Sequence, residues 1–281
     1  MDFVKRNFEK VGISLTVLLV AANILWCVTG KAEPKTQPTV TIAKGKIVLE
    51  NSYTRYLLST EKGLLLEEVF NKEIGDNYIK HPALSKLFVI TMGAWQLDST
   101  KFEVVDIKKG QETEAAILYL SMSHPPTSLW VDLKVIIDNS SETKWLLKIT
   151  NKASKEMELK VCFPALGSIQ VGEKIEDNYY LYPHEGGWIN HVPVDLKMGW
   201  AHAQIQIIDL YNPRRGGGIY IRSNDNKDIY YKTFDFKKKP EPDKAPFRYC
   251  AADDDTATEI FNFDVGIGMG IIVGLLVTLG P

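Results

Sequence analysis

Leu129-Trp130-Val131-Asp132-Leu133-Lys134-Val135-Ile136-Ile137 puts Leu129, Val131, Leu133, Val135 and Ile137 on one side of an extended chain and Trp130, Asp132, Lys134 and Ile136 on the other. A period of two marks a strand with one face in the core, because successive side chains of a strand point to opposite faces. The same kind of segment recurs on both sides of it. Positions 46–50, 53–59, 63–71, 87–92, 102–108, 114–123, 143–151, 157–164, 204–212, 217–223, 229–236 and 256–263 are short runs rich in β-branched and aromatic residues. Turn residues fall between them, at Glu61-Lys62-Gly63, Lys109-Gly110, Asp138-Asn139-Ser140 and Asn224-Asp225-Asn226. Helical periodicity is almost absent from 40 to 281, and no repeat of fixed period occurs. The fold class is therefore all-β, with roughly thirteen strands in two large packed antiparallel sheets.

The 281 residues suffice for one large domain or two small ones. At 45% hydrophobic and 24% charged the composition is that of a packed globular protein, which excludes disordered, collagen-like and multi-span membrane chains. Lys plus Arg number 33 against 35 Asp plus Glu, a net charge of -2, so no overall basicity is available to hold nucleic acid. Three cysteines, Cys27, Cys162 and Cys250, rule out a disulfide-dense mini-domain and a four-cysteine zinc site.

At the N-terminus Lys5, Arg6 and Lys10 precede an apolar run at 11–28, the pattern of an export signal, and Gly30 and Ala32 supply small residues before a cleavage point. Domain boundaries follow: 1–32 as signal peptide or membrane anchor, 33–45 as linker, and 46–281 as the sandwich, left open to truncation at its C-terminal end. The uncleaved anchor stays a second reading because the run approaches the ~20 residues that span a bilayer. Lipidation at Cys27 is disfavoured by the bulky Trp26 before it. Each reading exports the remainder, to a periplasmic, extracellular or outward-facing anchored location, with membrane contact only through an uncleaved N-terminal segment. The apolar stretch at 265–280 is broken by five glycines and reads as a buried strand pair rather than a span.

Positions 177–225 differ from the rest. Their first half reads Asn178-Tyr179-Tyr180-Leu181-Tyr182-Pro183-His184-Glu185-Gly186-Gly187-Trp188-Ile189-Asn190-His191. A loop of this composition offers flat apolar rings beside polar groups, which is what a sugar's C–H face and hydroxyl rim require; the plainer alternative is that the rings plug the end of the sandwich. The second half is strand, turn, strand, with Asn212-Pro213 opening the turn and Gly216-Gly217-Gly218 closing it. Arg214-Arg215-Gly216-Gly217-Gly218 lacks the Lys-Ser/Thr of a phosphate loop and no helix follows it. Asp209 and Arg215 are assigned to the turn. Lys237-Lys238-Lys239, followed by Pro240, Pro242 and Pro246, reads as a solvated loop.

Several of these residues carry a family resemblance. Tyr179 to Tyr182 with Pro183 and Gly186-Gly187, then Asp209-Leu210-Tyr211-Asn212 followed by Gly216-Gly217-Gly218-Ile219-Tyr220, resemble the galactose mutarotase-like β-supersandwich at the N-terminus of certain bacterial glycoside hydrolases. Ile47-Val48-Leu49-Glu50-Asn51, Gly63, Leu87-Phe88, Trp145-Leu146-Leu147-Lys148-Ile149-Thr150-Asn151 and Phe163-Pro164 are similar to its earlier strands. The resemblance implies a carbohydrate-contacting, non-catalytic module of an exported glycoside hydrolase, with a carbohydrate ligand or an adjoining catalytic barrel as partner. No barrel pattern of alternating strands and helices is present in this sequence. An envelope-anchored structural or interaction protein is the alternative, and a sugar epimerase a third reading.

Residues expected to line a sugar-facing groove are Tyr180, Tyr182 and Trp188 for stacking, and His184, Glu185, Asn190 and His191 for hydrogen bonds. An epimerase needs an acid and a base across the sugar ring, and the family's pair does not map onto His184, His191, His202, Glu185 or Asp195. No cofactor or metal is expected: His184 and His191 lie seven positions apart, which fits no compact ligand motif, and Asp253-Asp254-Asp255 reads as a solvated run. Cys162 beside Phe163 reads as a buried thiol in preference to a bridge with Cys250.

Overall fold

The computed structural model describes residues 37–182, 188–199, 207–223, 233–238 and 258–266, all within one compact unit, Thr36–Pro281. Among the described residues nineteen strands occur and no α-helix. A five-stranded meander takes β1 (Thr39–Ala43), β2 (Lys46–Glu50), β3 (Thr54–Ser59), β4 (Leu65–Asn71) and β5 (Asp76–Asn77) in chain order. A three-stranded sheet sets β6 (Leu87–Met92) between β7 (Trp95–Asp98) and β12 (Lys160–Ala165).

The largest sheet draws on β8 (Glu103–Gln111), β9 (Ala115–His124), β10 (Leu129–Asp138), β11 (Glu142–Asn151), β13 (Tyr179–Tyr182), β14 (Trp188–Asn190), β16 (Ile207–Asn212), β17 (Gly217–Ser223) and β19 (Thr258–Gly266). Its spatial order is β14-β13-β16-β17-β19-β11-β10-β9-β8. A fourth sheet pairs β15 (Val194–Gly199) with β18 (Thr233–Lys238). Every pairing between these strands is antiparallel.

The alternation in β10 becomes burial. Leu129, Val131, Leu133, Val135 and Ile137 are all buried, and the residues between them are part-exposed. Register places Leu133 between Leu120 of β9 and Leu147 of β11, and Val135 between Leu118 and Trp145, so three strands present one continuous apolar surface. Ile47, Leu49, Tyr56 and Leu58 of the meander meet it in a single core, with Tyr56 edge-on to Trp145 at 5.5 Å. Phe88 of the three-stranded sheet packs edge-on against Phe102 at 5.3 Å. Sheet on sheet around one apolar layer is a β-sandwich.

Asn51, buried in the turn between β2 and β3, ties the two large sheets together. Its Nδ2 donates to the carbonyls of Asp138 and Ser140, at 2.6 and 2.7 Å, in the β10–β11 turn, while its Oδ1 accepts from the amides of Tyr53 and Thr54.

Four readings need correction. The sandwich begins inside the assigned linker, because Thr39–Ala43 pairs along β2; only Val40 of that strand is buried, so its sequence shows no apolar face. Two sheets become four, since β6, β7 and β12 form a layer of their own and β15 pairs with β18. Lys109-Gly110 is not a turn but part of β8, with the ring of Tyr119 lying over Gly110. Cys162 is disulfide-bonded rather than a free thiol, and Cys27 and Cys250 both lie outside the described residues. Segments 1–32, 253–255 and 267–280 also lie outside them.

Candidate functional site

The segment read as an aromatic loop is largely strand. Tyr179–Tyr182 forms β13, flanked by β14 on one side and β16 on the other. Within β13 alternate residues go to opposite faces. Tyr180 pairs with Leu210, and both are buried in the core. Tyr179 therefore faces outward, and its cross-strand neighbour is Tyr211 of β16. The two rings stack 5.8 Å apart at 29°, and the His191 ring lies 5.0 Å from Tyr179 on its other side. Three rings thus form a row, two half-buried and His191 exposed. Gly218 stands opposite Tyr211 on β17, where a Cβ would come within 2.8 Å of both the Tyr211 Cβ and the Leu210 carbonyl, so the absent side chain lets the two strands approach closely beneath the row.

Asp209 lies on the same face, two residues before Tyr211 and opposite Tyr220. It is mid-strand, not in the turn, and only 5% exposed. Burial raises its pKa to about 7, with the backbone amide of Leu210 acting weakly the other way. A carboxyl that gains and loses its proton near neutrality can donate or accept a hydrogen bond. Burial, then the charge of Asp209 and the neighbouring Tyr179, push the Tyr211 hydroxyl upward as well. Further along this face the Tyr220 hydroxyl and Arg222 both bond Glu142, Arg222 at 2.9 Å; Gly266 of β19 separates Tyr220 from Glu142 in register.

Lys238 fixes the ring row from behind. It ends β18 with 3% exposure, donating to the carbonyl of Asn178 at 2.5 Å and to that of His191. Asn178 precedes Tyr179 and His191 carries the last ring, so one ammonium holds the backbone at the middle of the row and at one of its ends. Burial lowers its pKa, and Glu176 and Asp177 oppose that shift. The middle lysine of the triplet read as a solvated loop is thus an internal tie.

The expected sugar-facing residues divide as follows. His191 joins the row. Asn190 is exposed, but its Oδ1 accepts from the amides of His191 and Val192 and shapes the turn after β14. Tyr180 packs in the core and offers no face to solvent, because strand alternation sends it inward. Tyr182 and Trp188 are opposed in the β13–β14 ladder, and their side chains, with all of His184 and Glu185, lie outside what the structure describes. Sequence reasoning missed Tyr179, Tyr211, Asp209 and Lys238 as a group. Parity would separate them once one residue is placed, since Tyr180 inward sends Tyr179 outward, but the placement comes from the pairing with β16 and not from the local sequence.

Among solved structures the chain is similar to galactose 1-epimerase from Lactobacillus acidophilus NCFM, with a TM-score of 0.53 and 12% identity over 84% of this chain and 99% of that one. It is also similar to an alpha-N-acetylgalactosaminidase from Bifidobacterium bifidum, with a TM-score of 0.54 and 8% identity over 81% of this chain and 36% of that one. The fold is the galactose mutarotase-like sandwich. A third similar structure is a TPR-domain containing protein from Parabacteroides distasonis ATCC 8503, with a TM-score of 0.55 and 12% identity over 79% of this chain and 46% of that one. The mutarotase-like sandwich seen here thus spans less than half of two of these proteins and nearly all of the third. No protein-family model matches the sequence, and comparison with curated proteins finds no match.

Proposed function

We propose that this mutarotase-like sandwich is a non-catalytic, carbohydrate-contacting module of an exported glycoside hydrolase, and that the row Tyr211, Tyr179 and His191 is where sugar stacks. The row itself carries the reading. Half-buried rings on a sheet face, with a buried carboxyl beside them, supply apolar area for C–H groups and a directional partner for a hydroxyl. Two similar structures, a galactose 1-epimerase and an alpha-N-acetylgalactosaminidase, are sugar enzymes by name. The partial span of the glycosidase supports a module within a longer enzyme. Export is supported by the N-terminal signal pattern and by the disulfide at Cys162, since such bonds persist in oxidising compartments.

Binding of the purified protein to immobilised polysaccharides tests the reading. Wild type retained on at least one glycan, with Tyr211→Ala and Trp188→Ala both released, is the expected result. Equal retention of Tyr211→Ala would remove the row from the site, and equal retention of Trp188→Ala would remove that residue alone.

A further inference from the structure

An open cleft of about 630 Å3 sits at the end of the β13–β16 pair from which the ring row starts. Asp177, two residues before Tyr179, and Asn212, directly after Tyr211, both line it. Its floor is rigid. Asn212 is buried: its Nδ2 donates to the Val171 carbonyl, and its Oδ1 accepts from the amides of Arg214 and Arg215. Gly172 holds φ +80, and a Cβ there would lie 3.1 Å from the Asn212 Nδ2, so its backbone meets the Asn212 side chain where glycine fits best. The Gly172 amide donates to Asp76 Oδ2 at 2.6 Å, and Gln170 bonds the Gly172 carbonyl.

The walls carry three carboxylates, Asp76, Glu173 and Asp177, against three cations, Lys80, Arg214 and Arg215. Two of each are paired: Lys80 with Asp76 at 2.8 Å and Arg214 with Asp177 at 3.1 Å. Among the described residues Arg215 and Glu173 have no ion-pair partner, and Arg215 commits one N–H to the Ile74 carbonyl. A ligand of either sign meets both signs here, so net Coulomb attraction cancels, and the lining residues, all polar or glycine, offer apolar area only through their side-chain stems. What remains is a dense, preset array of donors and acceptors. Adjacent hydroxyls, each both donor and acceptor, use such an array fully.

We infer that this cleft is a binding site for a neutral sugar unit, with Arg215 and Glu173 bracketing its hydroxyls. Resting on the glycan reading of the ring row, it extends that reading by placing one unit of the chain in the cleft while the next lies on Tyr211 and Tyr179.

Amide NMR of the full chain tests this with galactose, glucose and mannose, each beside its uronate, and with galactosamine. A neutral hexose is expected to shift the amides of Gly172, Glu173, Arg214 and Arg215 at lower concentration than the charged forms. Arg215→Ala and Glu173→Gln, both on the surface, should each weaken that response about tenfold or more, the scale of a hydrogen bond to a charged group. Shifts at Tyr179 and Tyr211 without shifts in the cleft would overturn this inference and leave the ring row standing. Cleft shifts alone would support it against the ring row. Tighter binding of a uronate or of galactosamine, or no shift in either region, would overturn it.

Discussion

At one end of the nine-stranded sheet β9, β10 and β11 run for ten residues each, and β10 alternates buried and part-exposed side chains without a break. At the other end β13 and β14 hold four and three residues. The long end is almost entirely apolar on its inner face. The short end contains a buried carboxyl at Asp209, and the neighbouring two-stranded sheet brings to it the buried ammonium of Lys238, held among the described residues by carbonyls. Both are costly to bury. One half of the large sheet thus supplies stability, and the other, with the small sheet beside it, gives up part of it to polar groups placed near part-exposed rings, as functional sites tend to do.

Mutations should separate the halves. Leu133→Ala, at the centre of the long end, is expected to cost about 2–5 kcal/mol in denaturant unfolding through lost burial and a cavity. Its effect on the near-UV signal of the tyrosine row should be small below the unfolding transition. Asp209→Asn should act in the opposite direction. The folded-state pKa of Asp209 is raised from 3.8 to about 7, so its contribution is fully present below the unfolded value and is lost as pH rises through about 7. The Asn variant should therefore match wild type near about pH 4 and exceed it at about pH 8 by up to roughly 4 kcal/mol. A difference independent of pH would refute a buried, titrating Asp209.

The long end was legible because contrast between the two faces of a strand is written into the sequence. In β10 charged residues mark the outer face, and the expected segment 129–137 matches Leu129–Asp138 within a residue. β13 lacks that contrast: Tyr-Tyr-Leu-Tyr is apolar on both faces, so its parity cannot be read locally and it was taken for a loop. The Tyr179–Tyr211 contact depends on pairing between distant strands, which a single sequence does not display. Asp209 was misread because Asn212-Pro213 drew the turn toward it, whereas the Asn212 side chain confines the turn to the residues that follow. Lys238 was hidden in a basic triplet that composition alone calls solvated.

Smaller effects sharpen the contrast. Asn51→Ala removes two donated and two accepted bonds at the junction of the large sheets and should cost about 2–3 kcal/mol. Gly218→Ala would force a Cβ to within 2.8 Å of the Leu210 carbonyl and the Tyr211 Cβ, which should alter near-UV dichroism of the row and cost about 1–3 kcal/mol through the backbone shift it demands. A core effect on the first and a spectroscopic effect on the second is the expected pattern; the reverse would mean that the ring row is part of the structural half. For a non-catalytic module, polarimetry should show anomer interconversion at the uncatalysed rate.

Calorimetric titration of oligosaccharides ending in galactose or N-acetylgalactosamine into wild type and Tyr179→Ala tests the central claim most directly. Measurable binding by wild type, weakened about tenfold or more in a variant that melts like wild type, is the predicted result. Equal affinity for both proteins, or no binding by either, would contradict a sugar-stacking role for the ring row.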